Sequence, residues 1–260
     1  MAVACAALSG IVTAEMKHKV LILSGANNHD WKQTTPAIQV ALEETGRFEV
    51  DVEENVMAMK PDAFAPYAVV LGNFNAFGED APVIKEWPAE TRKAFLDHMA
   101  QSRGLVIVHA GSSVFYDWSE FQDLACGTWK DGTRHGQIHV ARVDFAAERH
   151  PVTEGLSAFW IRDEFWQGIH VAPGAKALAR VTPEPAFQGS SAQENIVLTT
   201  EKDGGRGFAL FLGHDTTTMK NMAWKSLLQR GTEWAATGKV TIPPAQDWPF
   251  TQADAERMAR

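Results

Sequence analysis

Three histidines stand where an apolar run gives way to small or polar residues. KVLILSG runs into Ala26-Asn27-Asn28-His29-Asp30-Trp31, GLVIVH ends on His109 before Ala110-Gly111-Ser112-Ser113, and GRGFALFLG runs into His214-Asp215. Two further segments carry reactive side chains. Arg134-His135-Gly136 precedes an alternating stretch, and Asp163-Glu164 lies inside the aromatic run from Phe159-Trp160 to Phe165-Trp166. Imidazoles joined by a carboxylate can hold a divalent transition metal, zinc or similar, with a position left for substrate. They can also pass protons without a metal. On this reading His29, His109 and His214 are metal ligands, and Glu164, His135 and His214 are the catalytic groups. Asp30 and Asp215 orient the neighbouring imidazoles and, with Trp31 and Asn73, face the substrate. A carboxylate pressed among aromatic rings is expected to have a raised pKa. No local pair such as H-x-x-x-H occurs, so the ligands must converge through the fold.

Other chemistries find little support. GANNHD after the first run is neither G-x-G-x-x-G nor a P-loop, which argues against a nucleotide cofactor. There is no G-x-S-x-G elbow. Cys5 and Cys126 are the only cysteines, too few for a disulfide framework or a thiolate zinc cluster. An amidase built on Cys126 is the weakest reading.

The elements that must position these residues follow from patterning. Lys19–Gly25, Tyr67–Gly72, Gly104–His109 and Gly205–Gly213 read as strands buried on both faces, and Arg47–Glu53 as an alternating strand. Thr35 and Pro36 are expected to cap and open a helix that stops at Gly46. Further helices are expected over Pro88–Gln101 and Asn221–Thr237, with Trp224 and Trp234 packing on the last. Strand alternating with helix predicts an α/β fold, a parallel sheet with helices on both faces. Between about Asp117 and Glu201 the pattern breaks into a helical turn near Trp118–Leu124 and short strands near Ile138–Val143, Ala177–Val181 and Asn195–Thr200. This predicts an inserted mixed-β portion. Ligands of an open parallel sheet bind beyond the carboxyl ends of its strands, which is where His29, Asn73, His109 and His214 fall. His18, His98 and His150 read as surface or turn residues, and His139 as an exposed strand position.

The 260 residues carry a net charge of −8, with 45% hydrophobic and 22% charged residues, the values of an ordinary globular protein. That charge argues against nucleic acid as a partner. The nine tryptophans against two tyrosines include Trp31, Trp118, Trp129 and Trp166 beside polar loop residues, where a sugar ring could stack. The first fifteen residues, MAVACAALSGIVTAE, read as the apolar core of a secretory leader with Val12-Thr13-Ala14 at its cleavage site, but lack a basic start. Residues 1–18 are thus a truncated signal peptide or an apolar tail. A genuine leader would make the protein periplasmic or secreted; otherwise it is cytoplasmic. No run reaches membrane-spanning length. Residues 241–260 read as an extended C-terminal extension, and oligomeric state leaves no signal.

Val20–Trp31 with Thr34-Thr35-Pro36, GLVIVHAG (Gly104–Gly111), Arg134-His135-Gly136, HPVTEGL (His150–Leu156), Asp163–Trp166, GRGFALFLGHD (Gly205–Asp215) and the following WKSLLQRGTEWAATG together resemble the ThuA-like, trehalose-utilisation family over about residues 19–240. The resemblance implies a flavodoxin-like, class I glutamine amidotransferase-like sheet in which His109-Ala110 replaces the nucleophilic cysteine and His214 falls near the superfamily's catalytic histidine. It also implies a small-molecule carbohydrate as ligand. The leading expectation is metal-assisted hydrolysis or elimination on a 3-keto-glycoside or disaccharide derivative, and the alternative is a non-catalytic sugar-binding module.

Overall fold

The structure is a computed structural model that describes residues 16–75, 77, 86–246, 248 and 250–259. The leader-like segment, with Cys5 and Val12-Thr13-Ala14, lies outside the described residues. In chain order the elements are β1 (His18–Leu23), α1 (Trp31–Glu43), β2 (Phe48–Glu53), β3 (Val69–Gly72), α2 (Ala89–Met99), β4 (Gly104–Val108) and α3 (Ser119–Leu124). Next come β5 (Gly127–Thr128), β6 (Arg134–His135), β7 (His139–Phe145), β8 (Phe159–Asp163), β9 (Trp166–Gln167), β10 (His170–Val171) and β11 (Lys176–Val181). The chain closes with β12 (Glu194–Lys202), β13 (Gly205–Leu210), α4 (Thr216–Met219), α5 (Met222–Thr237) and α6 (Gln252–Met258).

Nine of the strands form one sheet in the order β2-β1-β3-β4-β13-β12-β11-β7-β8. The first five are parallel, and their 2-1-3-4-5 order is that of a flavodoxin-like sheet. The apolar runs are unbroken because both faces are covered. Val20, Ile22, Val106 and Val108 meet Ile38 and Leu42 of α1 and Trp224 and Leu227 of α5. Leu21, Leu23, Leu105 and Ile107 on the opposite face meet Phe95 and Met99 of α2 and Phe121 of α3.

The mixed-β portion is not a separate layer. β12, β11, β7 and β8 continue the same sheet, each antiparallel to its neighbour. Four reversals after β13 point β8 the same way as β13. The residue after β8, Glu164, therefore reaches the rim that carries the carboxyl ends of the parallel strands.

Two local expectations are corrected. α1 begins at Trp31, and Pro36 lies inside it. Thr35 does not cap; its hydroxyl meets that of Ser24 at 2.6 Å and accepts from Asn73 Nδ2 at 2.9 Å. The C-terminal tail is not merely extended. Thr251 and Asp254 form a capping box that starts α6, and the Trp160 N–H donates to the carbonyl of Phe250 beside the sheet edge. Two histidines expected at the surface are buried as well. His98 Nε2 meets the carbonyl of Tyr67 at 2.9 Å, and the His139 ring stacks on Phe187 at 4.7 Å.

Candidate functional site

His109 is the first residue after β4 and opens a one-turn 3-10 helix. Its φ of +44° is costly for a residue with a Cβ, and such strain collects at functional sites. The turn packs tightly on the end of β3, since a Cβ at Gly111 would lie 2.0 Å from the Gly72 carbonyl oxygen. His29 arrives on the loop after β1 and His214 on the loop after β13. Gly213, at φ +117°, makes that last turn against the Trp224 ring.

These loops meet. The ring centroids of His29 lie 4.6 Å from His109 and 4.8 Å from His214, and His109 and His214 are 5.5 Å apart. The Glu164 carboxylate completes the group, 3.2 Å from His214 Nδ1, 3.5 Å from His135 Nδ1 and 3.7 Å from His109 Nε2. One ligand atom from each of His29, His109, Glu164 and His214 falls within 4.8 Å of all the others. Ligands ~2.1 Å from a tetrahedral ion stand ~3.4 Å apart, so small side-chain rotations would close the group on one.

The surroundings favour that use. His109 Nδ1 donates to the Phe211 carbonyl at 3.1 Å, and His29 Nδ1 donates to Asn27 Oδ1 at 2.9 Å. Each ring thereby turns an unprotonated Nε2 inward. Among the described residues, His109 Nε2 and His214 Nδ1 are buried without a well-formed hydrogen bond, His214 Nδ1 standing 3.2 Å from the Glu164 carboxylate. Buried polar atoms left unpaired are costly unless a ligand takes them up. Burial, then repulsion from His214, lowers the pKa of His29 to about 4, and burial, then His29, lowers that of His109 to about 3. Both rings are therefore neutral, as metal ligation requires.

The carboxylate expectation is corrected. Burial opposes ionisation of Glu164, but His214, His109 and His135 outweigh it and bring its pKa to about 2. Asp163, not Glu164, is the raised carboxyl: burial lifts it to about 7. Its oxygens accept from the backbone N–H groups of Gly213 at 2.7 Å, Glu164 at 2.8 Å and His214 at 3.2 Å. One side chain thus fastens the His214 turn to the Glu164 loop.

His29, Glu164 and His214 line a pocket of about 290 Å³, walled also by Asn28, Asn75, Phe77, Ala110, Ser113, Trp129, His135 and Trp166; His109, the fourth member of the cluster, is buried and does not line it. His135, brought in by pairing of β6 with β9, is about half exposed. Trp166 Nε1 donates to Glu164 Oε1 at 2.9 Å.

Four expected site residues stand apart. Trp31 is the first residue of α1 and does not line the pocket; Lys32 lies over its ring. Asn73 is buried, donating to Thr34 and Thr35. Asp30 accepts from Gln33 instead of touching its neighbour's imidazole. Asp215 caps α4 through the Thr218 N–H and pairs with Arg162 at 2.9 Å. Sequence neighbours fail as orienting groups here because each is drawn into its own helix start. Asp163, singled out beside Glu164 as reactive, serves instead as the clamp between two loops; Asn27 and Asn75 were the residues missed. Asn75 donates to both Asn27 Oδ1 and Asn28 Oδ1, which stiffens the loop that holds His29. The only sequence signal for them was a run of asparagines beyond strand ends. Cys126 is buried, and burial pushes its thiol well above the usual range, the reverse of an activated nucleophile.

A flavodoxin-like sheet with a histidine–carboxylate cluster on its carboxyl rim defines the class: an α/β protein whose site sits where related sheets bind small ligands. The chain belongs to the ThuA family, described as trehalose utilisation, whose model matches residues 19–235. A ThuA-like protein from Parabacteroides merdae ATCC 43184 superposes with a TM-score of 0.78 at 28% identity, covering 90% of this chain and 95% of that one. A second, from Bacteroides uniformis ATCC 8492, gives 0.59 at 17% identity over 86% and 93%. A cytoplasmic protein from Salmonella typhimurium LT2 shares the fold at 0.62 and 10% identity over 84% and 99%. Among curated protein sequences none is significantly similar. Among the described residues no helix is long and apolar enough to cross a membrane.

Proposed function

We propose that the chain is a metal-dependent enzyme that cleaves a 3-keto-glycoside. The observation that carries this reading is the convergence of His29, His109, Glu164 and His214, three of which line one pocket while His109 is buried against them. The trehalose-utilisation family supports a carbohydrate as ligand. Three imidazole nitrogens and one carboxylate oxygen suit a borderline divalent ion from manganese to zinc. When bound, the ion would act as a Lewis acid on the ketone oxygen.

The remaining chemistry belongs to the side chains. Glu164 is held as an anion among imidazoles, which makes it a ligand and not a proton carrier. His135, the pocket imidazole outside the four-residue group, takes the proton from the carbon between the ketone and the anomeric centre. The released electron pair delocalises onto the ketone oxygen. The anomeric C–O bond then breaks as the ring double bond forms, and the His135 imidazolium returns its proton to the departing oxygen. Trp129, Trp166 and Phe77 give the sugar apolar faces to rest on.

The test is turnover of a 3-keto-glucoside by zinc- and manganese-loaded protein. Wild type is expected to release the leaving alcohol, and His135→Ala to lose at least ~100-fold in kcat. Metal-loaded wild type that leaves the keto-glycoside intact would contradict the reading.

A further inference from the structure

The site pocket does not end at its own walls. Phe77 and Trp129 also line an outer cleft of about 780 Å³. Its other walls include Asp117, Lys130, Asp131 and His170. The local fold explains the grouping. β5 pairs with β10, setting Thr128 opposite His170, and the chain leaving β5 runs directly into Trp129, Lys130 and Asp131. Trp129 packs edge to face on Trp166, at 5.0 Å between centroids, and both rings line the inner pocket.

The charges of the outer cleft are unspent. Neither the Asp117 carboxylate nor the Lys130 ammonium has an ion pair or side-chain hydrogen bond among the described residues. Two carboxylates and one ammonium line the same cleft, so it does not favour an anion. It offers donors and acceptors beside an indole face, the chemistry that recognises a neutral polyol ring. The inner pocket of about 290 Å³ is small for a two-ring ligand, since small-molecule sites span roughly 300–1,000 Å³.

We propose that the cleft bounded by Asp117, Trp129, Lys130 and His170 is a second sugar subsite that binds the leaving-group ring. The substrate class is then a disaccharide, or a glycoside with a sugar-sized polar aglycone. Its keto ring sits over the histidine cluster and its glycosidic bond crosses Trp129. This inference rests on the keto-glycoside reading above.

Calorimetry on the zinc-loaded His135→Ala protein, in which cleavage of the probes is suppressed, tests it, with 3-keto-trehalose and methyl 3-keto-α-glucoside as probes and the cleft substitutions made in the same background. The disaccharide should bind at least about tenfold more tightly, the worth of one hydrogen bond to a charged group. Asp117→Ala and Lys130→Ala, both at the cleft surface, should each remove most of that advantage while leaving binding of the methyl glycoside unchanged. Equal affinity of the zinc-loaded His135→Ala protein for the two probes overturns the subsite and leaves the keto-glycoside reading standing. Disaccharide preference that survives both substitutions also overturns it. Binding of neither probe overturns both proposals.

Discussion

The side-chain oxygen of Asn27 sits 2.9 Å from Nδ1 of His29, and the same oxygen accepts from Asn75 Nδ2 at 2.9 Å. This fixes the His29 tautomer from outside the cluster and leaves Nε2 for a ligand. Asn27→Ala is expected to weaken zinc binding by ~10–100-fold, the usual effect of removing an outer partner of a ligating histidine. The metal-free protein should also lose ~1 kcal/mol of stability, because Asn27 Oδ1 accepts from the His29 N–H and from Asn75 Nδ2 as well. Calorimetric zinc titration beside a thermal melt checks both; unchanged zinc affinity would contradict the orienting role.

Asp163 carries a heavier structural duty. It is fully buried and satisfies three backbone N–H groups from two loops. Asp163→Ala leaves those donors unpaired and is expected to cost about 3 kcal/mol in urea unfolding. His214 should lose its place in the cluster too, so zinc affinity falls even where the variant is folded. A loss under ~0.5 kcal/mol, within the range of ordinary surface substitutions, would show that the clamp does not operate.

Stability should fall as the metal-free protein is taken from pH 7 to pH 5. Burial holds the pKa values of His29, His98, His109 and His150 below the ordinary imidazole value. As pH drops through ~6.5, the unfolded chain takes up protons at these positions and the folded chain does not, which favours unfolding. For His29 and His109 the loss continues to their folded values of about 4 and about 3. Asp163, raised to about 7, and His214, also raised, act in the opposite sense, since the folded state holds those protons more tightly. Four imidazoles against two groups give a net decline. The urea midpoint measured across this window should fall, and His98→Gln should flatten the slope; a rising midpoint would reverse the assignment.

Cys126 should be dispensable for chemistry. Its thiol is buried in the core beneath α3, with Leu124 and Phe121 in the same cluster. Cys126→Ala is expected to keep turnover and zinc binding while costing ~1 kcal/mol of stability from lost packing. Loss of turnover in a folded variant would restore a thiol mechanism.

Much of this arrangement was legible in the residues. Runs such as Val20–Leu23 and Leu105–Val108 are apolar at every position because both sheet faces are covered, and that pattern has few other meanings. His29, His109 and His214 could be found because the strand-end rule converts chain position into spatial position. Glu164 was reachable only as a reactive carboxylate in an aromatic stretch; its low pKa comes from imidazoles distant in sequence. Asp30 and Asp215 misled because adjacency along the chain is not adjacency of side chains: one takes up Gln33 and the other caps α4. The helix Gln252–Met258 was announced by Thr251 and Asp254 at capping-box spacing, a signal too short to stand out in a polar tail.

The most direct test of the metal centre is anomalous diffraction from crystals grown with zinc, recorded on both sides of the absorption edge. The account predicts one strong peak per chain, ringed by His29, His109, Glu164 and His214, and its loss in His109→Ala. A zinc-soaked wild-type crystal with no peak among those four side chains would contradict it.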